Sequence, residues 1–182
     1  MKNKYLQTDR IYLREMRKED ANGDYYHWLN DPEVYMYLET RFVPWSRAKL
    51  REYIESLDGN KNEIMFAICL LEDDRHIGNI KLGPINQTHK FGEIGLLIGE
   101  KSEWGKGYAA EAIGLICKFA FEILNLNKLQ AGCYEDNIGS AKAFLKNGFL
   151  EEGRYRKQWF LNNRYQDSIR MGLLRENYYK RI

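Results

Sequence analysis

The sequence predicts an α+β fold, a mixed central sheet of about seven strands flanked by about four helices. Three observations predict it. Strand-like runs at 64–72, 76–85 and 90–99 follow one another across the short polar connections "EDDR" and "NQTH", the pattern of an antiparallel meander. An apolar helical stretch then leads into another strand, so the sheet is not purely antiparallel. Two long β-prone runs at the C-terminal end flank "NN" at 162–163, a good hairpin turn.

In chain order, "IYLREMR" (11–17) alternates apolar and polar residues and reads as a strand. "KEDANGDYYHWLND" (18–31) reads as a helix with Ala21, Tyr25, Trp28 and Leu29 on one face, closed by Asp31-Pro32. Ser46 is placed to cap a helix over 47–57, with Leu50, Tyr53, Ile54 and Leu57 as its apolar stripe. After the meander, a helix is expected over 107–124 and a strand over 128–135. "NIGSAKAFLKN" (137–147) is a short helix, with Gly148 at the left-handed position that ends it. "LEEGRYRKQWFL" and "RYQDSIRMGLL" form the final hairpin.

No repeat, low-complexity tract or Pro/Gly/Ser-rich linker divides the 182 residues, which predicts a single domain over 1–182. Lys and Arg number 28 against 26 Asp and Glu, so the electrostatic footprint of a nucleic-acid binder is absent. "MKNKYLQTDRIYLRE" lacks the apolar core of a signal peptide, and no window approaches a membrane span. A soluble cytoplasmic protein with neither nucleic acid nor membrane as partner is expected. Cys69, Cys117 and Cys133 show no CxxC spacing, and His27, His76 and His89 are scattered, so neither a disulfide framework nor a metal site is expected.

"EKSEWGKGYAAEAIG" (100–114) carries a glycine pair, Gly105 and Gly107, just ahead of the long helix. "GKGYAA" matches the dinucleotide fingerprint GxGxxA, but the connector "EKSEW" separates it from the preceding strand, and that strand belongs to a meander. Lys106 is followed by Gly107, not Ser or Thr, so a Walker A loop fails too. A turn that binds nothing remains open. The small residues at 105, 107, 109 and 110 fit better a set of backbone N–H groups at the positive end of the helix, a cradle for a pyrophosphate.

"EWGKGYAAEA" followed about thirty residues later by "NIGSAKAFLKNGF" resembles the GNAT family of acetyl-coenzyme A-dependent N-acetyltransferases, and in particular the branch that includes the ribosomal-protein-alanine acetyltransferases. The resemblance extends to "WLNDPEV", "FGEIGLLIG" and "YQDSIRMGLLRENY", and so to nearly the whole chain. It implies a GNAT-type domain that takes acetyl-CoA as acetyl donor. The family's pyrophosphate motif is met by Gly107 and Ala109, while Trp104 stands where the family has Gln or Arg. Coenzyme contacts are thereby implied for Trp104, Gly105, Lys106, Gly107, Tyr108 and Ala109, for the amides around Leu97 and Ile98 on a splayed or bulged strand, and for Asn137, Ser140 and Phe144.

For the chemistry, the resemblance points to Glu93 as the base, acting directly or through water, and Glu93 can equally face solvent or pair with a Lys. Many relatives carry a Tyr general acid seven residues after the Asn; here that position is Phe144, leaving Ser140, Tyr134, a water or unassisted thiolate departure. Cys133 as an acyl carrier is a minor alternative. Arg41, Trp45, Tyr134, Trp159 and Tyr165 are expected on the acceptor side, together with Tyr155 and Asp167. The expected acceptor is a small-molecule or peptide amine, a nucleotide-linked amino sugar or a protein N-terminus. A polyamine is the alternative, against which Arg41 and Arg47 beside Glu39 weigh mildly. A non-catalytic acyl-CoA sensor and a homodimer are also compatible with the sequence.

Overall fold

The computed structural model describes residues 6–181. Its strands are β1 (Leu6–Gln7), β2 (Ile11–Glu15), β3 (Ile64–Leu70), β4 (His76–Asn86), β5 (Phe91–Ile98), β6 (Lys128–Tyr134), β7 (Leu150–Leu161) and β8 (Arg164–Leu174). They form one sheet in the order β1-β2-β3-β4-β5-β6-β8-β7, in which only β5 and β6 run parallel. The sheet has eight strands where the sequence predicts about seven, because Leu6–Gln7 turns back to pair with β2 through Leu6↔Leu13.

The helices are α1 (Asp24–Trp28), α2 (Pro32–Tyr35), α3 (Arg47–Ser56), α4 (Tyr108–Lys118), α5 (Ile138–Lys146) and α6 (Arg175–Tyr179). That is six among the described residues against about four predicted. The helix expected over 18–31 is divided by Gly23, whose extended backbone separates a 3₁₀ turn, Lys18–Asn22, from α1. Asp31 also does more than close a helix: its side chain accepts the Glu33 N–H at 3.0 Å and, with Pro32 at the first helical position, starts α2. A π-helical turn, Phe119–Ile123, carries α4 on towards the end predicted at about 124.

Alternation along the strands divides the side chains between two layers. Ile68, Ile80, Leu82 and Ile94 pack with Ile113, Ile116 and Phe144 from α4 and α5 on one face. Met65 and Leu97 meet Tyr25, Trp28, Leu50 and Ile54 from α1 and α3 on the other. The β5–β6 ladder covers only Phe91↔Lys128, Gly92↔Leu129 and Glu93↔Gln130. Beyond Glu93 the two strands diverge, opening a gap in the middle of the sheet.

Candidate active site

The gap is bounded by β5, by the 100–107 loop with the start of α4, and by the start of α5. Gly105 and Gly107 have φ of 76° and 90°, the left-handed region in which a Cβ is strained. Adopting it bends the chain so that the N–H groups of residues 105–109 have no acceptor among the described residues. Five such donors at the head of an eleven-residue helix fit a pyrophosphate. Lys106 adds little free charge there, since its Nζ lies 2.9 Å from Glu103 Oε2. Arg10, absent from the expected set, donates to the Lys106 carbonyl at 3.1 Å and pairs with Glu111, while its guanidinium lies over the Tyr108 ring. It comes from the start of β2, about a hundred residues away in sequence, so local pattern gives no sign of it.

The edge of β5 is set by its ladder with β4. Gly99 N–H donates to Ile77 O at 2.9 Å, and the register places Ile98 opposite Gly78. In an antiparallel ladder, neighbouring residues turn their polar groups to opposite edges. Leu97 N–H is therefore directed at β4, whereas the N–H groups of Ile98 and Leu96 face the gap. The Ile98 carbonyl faces it as well and accepts the Trp104 indole N–H at 2.7 Å. Trp104 thus closes one end of the opening while remaining 45% exposed. The structure has no bulge over 94–98, and the open donors come from strand divergence. Gly99 instead seats the Trp28 ring, which lies where a Cβ would stand, and Gly95 leaves open space on its face.

Asn137 caps α5, its Oδ1 accepting the Ser140 N–H at 3.2 Å, so both residues stand at that helix start across the gap. Phe144 is only 1% exposed and lies edge-on to Phe149 in the core. Cys133 is buried, and burial pushes its thiol up, against service as an acyl-carrying thiolate. Among the described residues no group of three or more His, Cys, Asp or Glu side chains could hold a metal. No described helix is long and apolar enough to cross a membrane.

On the α1–α3 face, a cavity of about 430 Å³ lies over Gly95 and Leu97, walled by Tyr25, Trp45 and Tyr53 and carrying Glu39, Glu63 and Asn79. Lys81, also in its lining, is 3.5 Å from Glu63. Glu93 stands two residues along β5 on the same face, and Arg170 Nη2 reaches its Oε1 at 3.3 Å. Beside the cavity, Tyr134 donates to Glu39 Oε1 at 2.5 Å, accepts from Arg41 at 2.7 Å and stacks on Trp159 with centroids 4.2 Å apart. Burial, reinforced by the Glu39 carboxylate, pushes the Tyr134 phenol up to about 12. Arg41 also donates to the Leu38 and Phe160 carbonyls, and its side chain is 10% exposed. Trp45 lines the cavity, whereas Tyr165 is 63% exposed on the outer hairpin against Phe160. Tyr155 is exposed beside Arg170, and Asp167 accepts the Lys157 N–H within the hairpin.

The GNAT acetyltransferase domain model matches residues 10–150. The chain belongs to the GNAT acetyltransferase family. This acetyltransferase is 35% identical over 179 residues to the N-acetyltransferase p20 of Bacillus licheniformis, covering 95% of this chain and 97% of that protein. It is 28% identical to the spermidine N(1)-acetyltransferase of Escherichia coli K12, over 92% of this chain and 88% of that one. Among solved structures, the spermidine N-acetyltransferase of Vibrio cholerae in complex with CoA and spermine superposes with a TM-score of 0.84 at 27% identity, covering 94% and 99%. The protein is an acetyl-CoA-dependent N-acetyltransferase. These relatives are spermidine-acetyltransferase-like and lend no specific support to the ribosomal-protein-alanine branch that the motifs suggest.

Proposed function

We propose that this acetyltransferase acetylates a primary amine of an aliphatic polyamine by direct attack within a ternary complex. The observation that carries the acceptor class is the commitment of Arg41. Its guanidinium is spent on Tyr134, Glu39 and two backbone carbonyls, so a nucleotide diphosphate would have to displace an internal network to reach it. The cavity instead places the Glu39 carboxylate, held by Tyr134 through Oε1, and the Glu63 carboxylate, shared with Lys81 at 3.5 Å, between aromatic walls, where an incoming ammonium on an alkyl chain would compete with Lys81 for Glu63. The spermidine acetyltransferases among the relatives support the same class.

When bound, acetyl-CoA supplies an acetyl group activated as a thioester. The N–H groups of 105–109 would hold its pyrophosphate and Asn137 its pantetheine arm, while Ile98 N–H would donate where negative charge grows on the carbonyl oxygen. The amine enters over Gly95 and forms the new C–N bond as the C–S bond breaks; its surplus proton passes by water to Glu93. With Phe144 at the usual acid position, the thiolate departs without a dedicated donor, which a thiol pKa near about 8.5 permits.

Thiol release from acetyl-CoA measured with spermidine, spermine, amino-sugar nucleotides and N-terminal peptides tests this reading. Turnover is expected with the polyamines, and Glu93→Gln should lower it about a hundredfold while altering its pH profile. Faster release with an amino-sugar nucleotide or a peptide than with any polyamine rejects the acceptor class. A Glu93→Gln enzyme with wild-type rate and profile rejects the base.

A further inference from the structure

The freedom that lets Gly107 hold a φ of 90° also lets the Lys106–Gly107 peptide turn over, because glycine populates either sign of φ. Turned over, that peptide would present its carbonyl to a bound anion in place of the Gly107 N–H. The next peptide is locked by the helix itself, since the Ala110 and Glu111 N–H groups donate to the Gly107 carbonyl at 3.1 and 3.3 Å. The Lys106 carbonyl receives no backbone N–H among the described residues and accepts Arg10 Nη2 at 3.1 Å instead. The C=O and N–H of a trans peptide point in opposite directions, so this bond turns the Gly107 N–H away from Arg10. Two longer side chains of the loop are engaged elsewhere, Trp104 on the Ile98 carbonyl and Lys106 on Glu103.

Arg10 is itself held in place. Glu111 Oε1 accepts its Nε at 2.7 Å and its Nη2 as well, while Glu111 Oε2 accepts Thr8 Oγ1 at 2.6 Å. The Tyr108 ring lies 4.5 Å from the guanidinium carbon. With Glu111 matching its charge, Arg10 offers the cradle orientation and not a free cation. We propose that Arg10 is a positioning residue for the coenzyme: by holding the Lys106 carbonyl it keeps the Gly107 N–H aimed at the pyrophosphate, which the guanidinium does not itself touch. The inference rests on the reading of residues 105–109 as the pyrophosphate cradle.

The test compares Arg10→Met and Arg10→Lys with wild type. Calorimetry at low and high salt measures CoA and dephospho-CoA, which lacks the ribose phosphate but keeps the pyrophosphate. For Arg10→Met both dissociation constants are expected to rise about tenfold, the equivalent of one hydrogen bond, and by the same factor at either salt. Arg10→Lys, which keeps one donor, should show a smaller rise of the same pattern, and it carries the test if the methionine variant does not fold. With whichever amine the wild type acetylates best, kcat/KM for acetyl-CoA should fall alongside affinity. For S-acetylpantetheine, which has no pyrophosphate, it should stay within about twofold of wild type. Unchanged dissociation constants overturn the proposal, and so does an equal loss with S-acetylpantetheine, which marks a general disturbance of the fold. A loss absent with dephospho-CoA, or one that fades at high salt, overturns it too, since Arg10 would then touch a phosphate directly. A wild type that uses S-acetylpantetheine as well as acetyl-CoA fails separately, because it overturns the cradle reading before any variant is compared.

Discussion

Gly107 shows how one backbone angle supports binding. Nothing bars a methyl group there by crowding, since the nearest atom to an added Cβ is Arg10 Nη2 at 3.6 Å. The constraint is conformational: at φ 90° an L-residue costs about 1–2 kcal/mol relative to its preferred region. Gly107→Ala can relieve that strain by changing φ, which would reorient the unpaired amides of 105–109. We therefore expect a folded enzyme whose CoA dissociation constant rises about tenfold, measured by calorimetry. Wild-type affinity would show that the alanine adopts the left-handed angle and that the cradle tolerates it. Lys106→Ala should matter much less, because Glu103 already holds that ammonium.

At the scale of elements, the 3₁₀ turn before α1 is pinned to β2 by a two-pronged ion pair. Arg14 Nη1 and Nη2 each lie 2.8 Å from an Asp20 oxygen, and both side chains are largely buried. Burial pushes the Asp20 carboxyl up, but the Arg14 fork and the Arg17 N–H outweigh it, and its pKa lies below the ordinary value. His76, with Asp20 on one side and Asn79 on the other, is lowered from 6.5 chiefly by burial. A lowered folded-state pKa gives stability in full above the unfolded value and loses it as pH falls through the folded one, and this sign holds for both groups. Melting temperature should thus decline below about pH 6.5 as His76 is forced to charge, and again below about pH 4 as Asp20 is protonated. Asp20→Asn should cost about 3 kcal/mol at neutral pH, by leaving Arg14 without its counter-charge, and should flatten the second decline. Thermal melts at stepped pH read both effects. A melting temperature independent of pH down to 4 would contradict the first effect, and one that stays level below pH 4 the second.

Across the whole molecule, the sequence displays whatever depends on neighbours close along the chain. The meander, the glycine-opened helix, the Ser46 and Asn137 caps and the turn at 162–163 all appear where local pattern places them. The two-residue strand at Leu6–Gln7 does not, because so short a run carries no periodicity, and Gly23 divides a helical pattern that looks continuous. Of the site, the cradle is legible because its chemistry is backbone chemistry marked by glycines. The commitment of Arg41 to Tyr134 and the arrival of Arg10 beside Lys106 arise from strands brought together by topology, and no spacing encodes them. The contact of Trp28 with Gly99 belongs to this second kind: a Cβ on Gly99 would stand 1.9 Å from the indole. Gly99→Ala alone should lower the melting temperature by several degrees, at about 1–3 kcal/mol of overpacking, and Trp28→Leu in the same chain should recover part of the loss. Positions 28 and 99 therefore form one unit of shape, in which the full indole at 28 is accommodated without strain only while 99 carries no side chain.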